Sequence, residues 1–294
     1  MFLNLDSLKI KKLQTLYCRG KLIDLSVPKV MGIINVSPDS FYDGGKTIAE
    51  PEIVKQAEKM LADGATFLDV GGYSTRPGAE EISGTEEINR VVNAIEIILK
   101  NFPKALISID TFRSEVAKNA VEAGAAIVND VAGGTLDSEM YKTAAKLKVP
   151  YILMHMRGTP KTMTKLTDYQ NVTIDVIKNL AEKIKCARAE GINDIIADPG
   201  FGFAKTSDQS FQLLNNLELF QNLGVPILAG VSRKSMIYKT FGTSAEHALN
   251  GTTALNTIAL SKGASILRVH DVKEAVECVK LWCRLQDVVY EHNI

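Results

Sequence analysis

Ala105-Leu106-Ile107-Ser108-Ile109 is a short apolar run that ends on a carboxylate, Asp110. The same beat recurs along the chain. Val30-Met31-Gly32-Ile33-Ile34 leads into Asn35, and Thr66-Phe67-Leu68 into Asp69. Ala126-Ile127-Val128 leads into Asn129-Asp130, Tyr151-Ile152-Leu153-Met154 into His155, and Ile195-Ile196-Ala197 into Asp198. Pro226 to Val231 leads into Ser232-Arg233-Lys234, and Ser265-Ile266-Leu267 into Arg268 and His270. Helical patterns fill the gaps. Eight strand–helix units with polar groups at the strand ends predict an α/β fold, a (β/α)8 TIM barrel with its active site on one face.

The first segment breaks the beat. Gln14 to Cys18, then Arg19-Gly20, then Lys21 to Leu25 predicts a β-hairpin that closes the bottom of the barrel, with Pro28 after it. The first helix begins at Pro51, a permitted first-turn position, and ends at Asp63-Gly64. The second runs from Thr85, read as its cap, to Lys100. Further helices are expected over 114–123, 138–147 and 172–190, after Ser207, over 235–238 and 245–261, and over 272–292. No linker or low-complexity tract divides the chain, so residues 1–294 are expected to form one domain, with 1–28 as the hairpin extension.

A chain of 294 residues that is 46% hydrophobic and 23% charged has ample material for a barrel core. Lys+Arg and Asp+Glu both number 34, so the formal net charge is zero. That balance argues against a nucleic-acid binder and makes any anion site local. Cys18, Cys186, Cys278 and Cys283 lack metal-finger spacing and read as reduced thiols of a cytoplasmic protein. The N-terminus shows no signal-peptide pattern, and no apolar stretch reaches the roughly 18 residues of a membrane span.

Residues two apart on a strand share a face. Ser108 and Asp110 therefore pair, as do Ile196 and Asp198, and Arg268 and His270. At the C-terminal rim of a barrel such groups converge. Asp110 and Asp198 accept N–H bonds, Asn129 both donates and accepts, and Lys234 donates. That set suits a nitrogen-rich bicyclic ring with a guanidine-like edge, such as a pterin. Arg268 and His270, with Ser232-Arg233-Lys234, follow the two strands whose loops often bind phosphate in barrels. Asn35 offers an oxygen to a hard cation such as Mg²⁺ that also binds phosphate. The four histidines lack zinc spacing; His155 reads as a core-edge residue. Neither a dinucleotide fingerprint nor a P-loop is present. Two loops stand out. The polar loop Asn35 to Gly45, with Phe41 and Tyr42 inside it, has the composition of a lid, and the loop Gly71 to Gly78, with Arg76 between Thr75 and Pro77, that of an anion clamp.

Taken in order, these motifs resemble the dihydropteroate synthase family. The resemblance rests on Gly32 to Phe41 with Asp43-Gly44-Gly45, Asp69 to Gly72, Ser74 to Gly78, Ser108 to Thr111 and Asn129-Asp130-Val131. Leu153 to Met156, Asp198 to Phe203, Ser232 to Ser235 and Arg268 to Asp271 complete it. It implies condensation of 6-hydroxymethyl-7,8-dihydropterin pyrophosphate with p-aminobenzoate, giving 7,8-dihydropteroate and pyrophosphate, with Mg²⁺ and in a homodimer. By that resemblance Asp110, Asn129, Asp198 and Lys234 hold the pterin, with Met154 packed near it. Asn35, Arg268 and His270 take the pyrophosphate, joined by Arg76, and Asn35 also binds the metal. Thr75, Pro77, Phe203, Lys234 and Ser235 line the p-aminobenzoate site. Asp110, Lys234, Arg268 and His270 are the expected catalytic groups. Ser37, Tyr42 and Ala204 depart from the family pattern, where threonine, a small residue and glycine are common. Two alternatives stay open: a catalytically idle pterin-binding paralogue, and a methyltetrahydrofolate–corrinoid methyltransferase on the same fold.

Overall fold

The chain opens with two short strands, β1 (Thr15–Cys18) and β2 (Lys21–Asp24), paired antiparallel as the expected hairpin. Arg19 and Gly20 both take positive φ, 46° and 79°, as a tight two-residue hairpin turn requires. The computed structural model describes residues 14–36, 50–73 and 81–291.

Eight parallel strands follow: β3 (Lys29–Asn35), β4 (Phe67–Gly71), β5 (Leu106–Asp110), β6 (Ile127–Asp130), β7 (Tyr151–Met154), β8 (Ile195–Asp198), β9 (Leu228–Ala229) and β10 (Ile266–Val269). Each of β3 to β7 pairs with the next strand in sequence; β9 pairs with β10, and β10 returns to β3. A parallel bridge between Ala197 and Ile227 closes the ring. The helices between them are α1 (Glu50–Ala62), α2 (Gly84–Asn101), α3 (Ser114–Glu122), α4 (Met140–Leu147), α5 (Val172–Ala189), α6 (Ser207–Asn215), α7 (Ser235–Tyr238), α8 (Leu249–Ser261) and α9 (Val272–Glu291).

Alternation divides each strand into two faces. Leu68, Val70, Ile107, Ile109, Val128, Leu153, Ala197 and Leu267 lie in the large core shared with the helices. The other parity faces the barrel axis. At its lower end Met31, Phe67, Ile127, Ile152, Ile196, Leu228 and Ile266 pack with Leu16, Cys18 and Leu25 of the hairpin segment. Two residues further up stand Asp69, Asn129, Met154, Asp198 and Arg268, with Ser108 and Asp110 following Leu106. The barrel interior therefore passes from apolar floor to charged rim within a few residues of each strand. Polar contacts fix the hairpin beneath it: the Tyr17 N–H donates to Asp194 Oδ2 (2.9 Å) and Arg19 reaches the Ala105 carbonyl (3.4 Å). Burial pushes the Cys18 thiol up to about 12, so it packs as an apolar group.

Three local readings change. The cap of α2 is Ser83, whose hydroxyl accepts from the Glu86 N–H (3.1 Å); Thr85 lies inside the helix. The run from Pro226 gives only two strand residues. Pro226 has no N–H for the ladder, and Arg233, at φ 54°, turns the chain soon after. The stretch expected as one helix over 245–261 is a short 3₁₀ turn, Ala245–His247, followed by α8. Asp130, beside Asn129, has the opposite parity. Ala132 and Gly134 donate their N–H groups to it (2.8 and 2.6 Å), as does the Tyr151 hydroxyl.

Leu16 is 1% exposed at the barrel floor. Leu16→Ala should cost about 2–5 kcal/mol in urea unfolding while leaving substrate KM values unchanged. A loss below about 1 kcal/mol would show that the hairpin does not carry the floor.

Candidate active site

Three strands meet on one buried carboxylate, and a fourth joins through Arg268. Asp69, in the middle of β4, is fully buried. Its Oδ2 accepts from Arg268 Nε (2.6 Å) and from Asn129 Nδ2 (3.0 Å). Arg268 Nη2 donates in turn to Asp110 Oδ2 (2.6 Å). β4, β5, β6 and β10 are thus joined through side chains across the barrel axis. Burial pushes the Asp110 carboxyl up to about 7; Arg268 pulls it down and Asp69 adds to the rise. The carboxylates flanking Arg268 outweigh its burial and raise it further.

Asp198 ends β8 and is buried, its Oδ1 accepting from the Gly200 N–H (2.7 Å). Burial raises its carboxyl, while Lys234 and Arg268 are close enough to oppose that rise. Lys234 precedes α7. Burial lowers its ammonium to about 8, with Asp198 and Asp110 pulling it back up. Its Nζ donates to the Phe201 carbonyl and lies 4.6 Å from the centre of the Phe203 ring. Asp110, Asp198, Lys234 and Arg268 therefore share one electrostatic environment at one rim.

The loop after β8 is held from below. Lys205 is buried, and its Nζ donates to the carbonyls of Gly200 and Phe203 (both 2.9 Å) and contacts His155 Nδ1 (2.9 Å). Burial drives the His155 imidazole down to about 2, so it is neutral and its Nδ1 accepts. Ala204, at the position where glycine is common in the resembling family, takes φ 51°, which accounts for that preference. The Tyr169 hydroxyl donates to the Ala204 carbonyl (3.0 Å). Met154 lies in an apolar cluster with Val131, Ala132, Met156, Met163 and Ala204, against which Phe203 and Phe112 pack. Polar groups and an apolar wall thus stand side by side.

His270 follows β10. Its backbone N–H donates to Ser232 Oγ (3.1 Å), and that oxygen lies 3.0 Å from its Nδ1. Arg233 does not join the cluster: it grips Asp271 with Nε and Nη2 (2.9 and 2.6 Å), strapping the loop after β9 to the loop after β10. Ser235 opens α7, half-buried beside Lys234. Asn35 and Asp110 flank Gly71. A Cβ built there would lie 3.8 Å from Asn35 Oδ1 and 3.7 Å from Asp110 Oδ2, so the amide and the carboxylate share one corner of the rim. The base of the loop after β4 is also tied. Arg113 donates to the Ile82 carbonyl (3.0 Å) and pairs with buried Glu87, and Arg90 donates to the Gly72 carbonyl (3.4 Å).

Asp110, Asn129, Met154, Asp198, Phe203, Lys234, Arg268 and Asn35 thus gather at one rim, and Ser235 and His270 sit on its loops. Thr75, Arg76 and Pro77, and residues 37–45 of the loop that Asn35 opens, lie outside the described residues. The sequence pattern gives no role to Asp69 or Lys205, and it places Ser232 only within an expected phosphate-binding loop. Asp69 was legible by counting two from Phe67, the same rule that singled out Asp198 after Ile196. An open apolar groove of about 460 Å³, lined in part by Leu61, Phe102, Pro103 and Leu106, lies at the floor end and has no carboxylate among its described lining residues.

The sequence matches the pterin binding enzyme family over residues 31–270. A dihydropteroate synthase of Haemophilus influenzae is 41% identical over 269 residues, covering 91% of this chain and 97% of that protein. The structure of a Xanthomonas albilineans dihydropteroate synthase with 4-aminobenzoic acid superimposes with TM-score 0.86 at 39% identity, covering 93% of this chain and 98% of that one. The same organism's enzyme in complex with 7,8-dihydropteroate gives TM-score 0.83 at 37% identity, covering 92% and 98%. Barrel, strand-end motifs and relatives agree: the chain belongs to the pterin binding enzyme family, and within it to the dihydropteroate synthases.

Proposed function

We propose that this chain joins 6-hydroxymethyl-7,8-dihydropterin pyrophosphate to p-aminobenzoate, forming 7,8-dihydropteroate and releasing pyrophosphate. One observation carries the reading: Asp110, Asn129 and Arg268 form a single hydrogen-bonded set through Asp69, with Asp198 and Lys234 in the same field. Related enzymes bound to 4-aminobenzoic acid and to 7,8-dihydropteroate support it.

In this reading Asp110, Asn129, Asp198 and Lys234 bind the pterin edge, and Met154 packs near the ring. Arg76, Arg268, His270 and Asn35 take the pyrophosphate. Thr75, Pro77, Phe203, Lys234 and Ser235 line the p-aminobenzoate site. Arg268 already presents N–H donors to Asp110. A pterin edge presents the same chemistry, so it takes over Asp110 without leaving that carboxylate unpaired at any stage. Arg268 is then available to the diphosphate.

The C–O bond to pyrophosphate breaks, and the positive charge left on the exocyclic methylene spreads into the pterin ring. Ionised Asp110 stabilises that cation, and Arg268 and His270 stabilise the departing anion. The amine nitrogen of p-aminobenzoate forms the new C–N bond and gives up a proton, so no protein nucleophile is required. The wall of buried Met154 and Met156, with Phe203 packed against it, keeps water from the cation.

Mg²⁺ fits this donor set as a cation bound chiefly by the diphosphate. Asn35 supplies one hard oxygen beside Asp110, and among the described residues no group of three or more His, Cys, Asp or Glu could cage a metal. When bound, the ion neutralises leaving-group charge. We place the enzyme in the cytoplasm on its four unpaired cysteines. Among the described residues no helix is long and apolar enough to cross a membrane. We further assign it to a homodimer through α8 and α9, where Ile258, Leu281 and Leu285 are exposed.

Incubated with both substrates and Mg²⁺, the purified chain should form dihydropteroate. Lys234→Ala should lower kcat/KM by about 100-fold, whereas Cys186→Ser, at an exposed position, should leave it unchanged. Pterin binding without turnover, or methyl transfer to a corrinoid, would replace this reading with one of its rivals. Binding of 6-hydroxymethyl-7,8-dihydropterin, which carries no phosphate, should depend on pH. Below about 7 Asp110 takes up a proton and loses acceptor capacity; above about 8 Lys234 loses a proton and its charge. Calorimetry should therefore give tightest binding between those values, and Asp110→Asn should remove the acid limb. Affinity unchanged between pH 5 and 9 would contradict the assignment. Light scattering should give about twice the 32.1 kDa chain mass, and a single-chain mass would refute the dimer.

A further inference from the structure

Asp69 lies one layer below the mouth. In the strand register it stands opposite Ser108, whereas Asp110 stands opposite Gly71, two residues higher. It is fully buried, so it supports the ligand groups from beneath. Both of its hydrogen bonds converge on Oδ2, one from Arg268 Nε and one from Asn129 Nδ2. Among the described residues neither Asp69 Oδ1 nor Ser108 Oγ has a hydrogen-bond partner.

That convergence constrains both neighbours. An ionised carboxylate only accepts, so Asn129 must turn its NH₂ toward Asp69. The Asn129 carbonyl oxygen is then fixed as the group offered to a ligand, and the amide cannot flip without placing oxygen against oxygen. Arg268 is attached at two separate atoms, Nε to Asp69 and Nη2 to Asp110. A ligand N–H that takes Asp110 releases Nη2 and leaves Nε anchored. The guanidinium then pivots about Asp69 and stays within the site.

We propose that Asp69 is a positioning residue that links the two halves of the site. Through one oxygen it sets the acceptor face of Asn129 toward the pterin and holds the pivot of Arg268 toward the diphosphate. The proposal rests on the ligand assignment made above. Removing the charge frees Arg268 to collapse onto Asp110, the carboxylate the pterin needs, and frees the Asn129 amide to flip. Both effects weaken the ligands without removing any group that touches them.

Two double-mutant cycles test this. Affinities for inorganic pyrophosphate and for 6-hydroxymethyl-7,8-dihydropterin are measured by calorimetry, with urea unfolding as the fold control. Asp69→Asn should weaken each ligand by about 10- to 100-fold. In an Arg268→Ala background it should weaken pyrophosphate by no more than about 3-fold further. In an Asn129→Ala background the same limit should hold for the pterin. The p-aminobenzoate KM should stay within about 3-fold of the parent in Asp69→Asn. If Asp69→Asn fails to fold, Asp69→Ser, smaller and neutral, is taken through the same cycles. Penalties that simply add in both cycles, or ligand affinities unchanged by loss of the carboxylate, would overturn the linkage. A parent protein that binds neither ligand would instead sink the functional assignment.

Discussion

The site depends on one guanidinium held between two carboxylates at the centre of a barrel. Arg268 bridges Asp69 and Asp110, and Asp198 with Lys234 completes the set. Three carboxylates face two cations there. Burying such groups costs several kcal/mol per ion and seldom adds net stability. The arrangement makes sense as preparation for a ligand: unliganded, each charge has an opposite charge beside it, and in the proposed function a pterin edge would replace one N–H donor with another of the same kind.

The rest of the fold keeps that cluster from relaxing. The hairpin and the apolar floor fill the barrel beneath it, so the polar layer cannot sink. Outside the barrel, the opposite strand faces pack on the helices in one continuous core. The rim loops are tied at their bases. Arg233 with Asp271, and Ser232 with His270, couple the loops after β9 and β10; Lys205 with His155 stiffens the loop after β8. Lys234 sits between those regions, its ammonium donating to the Phe201 carbonyl and lying over the Phe203 ring. Part of the precision at the rim comes from neighbours to which no ligand contact is assigned, such as Arg233, Lys205 and His155.

What the sequence discloses follows from what is periodic. Strand ends were legible because alternation has period two and because a carboxylate or amide after an apolar run is conspicuous. Asp110, Asn129, Asp198 and Arg268 were all reached that way, and the described strands bring them together. Asp69 also follows an apolar run, but β4 continues to Gly71, so its carboxylate lies a layer below the rim, a depth that the sequence pattern does not mark. Lys205 resembles any solvated lysine until the loop folds over it. Arg233 stands in a phosphate-binding pattern, yet a positive φ and Asp271 turn it aside. Such three-dimensional commitments of long side chains leave no periodic trace. Capping was ambiguous for a related reason: Ser83 and Thr85 both suit an N-cap, and only the backbone of Ser83, at φ −68° and ψ 157°, frees its hydroxyl for the role.

The most direct measurement is a crystal structure of this chain with 6-hydroxymethyl-7,8-dihydropterin bound. The account predicts the ring among Asp110, Asn129, Asp198 and Lys234, with Arg268 Nη2 displaced from Asp110 and Nε still on Asp69. A pterin bound elsewhere on the molecule, or a bound ring with the Arg268–Asp110 pair intact, would contradict it.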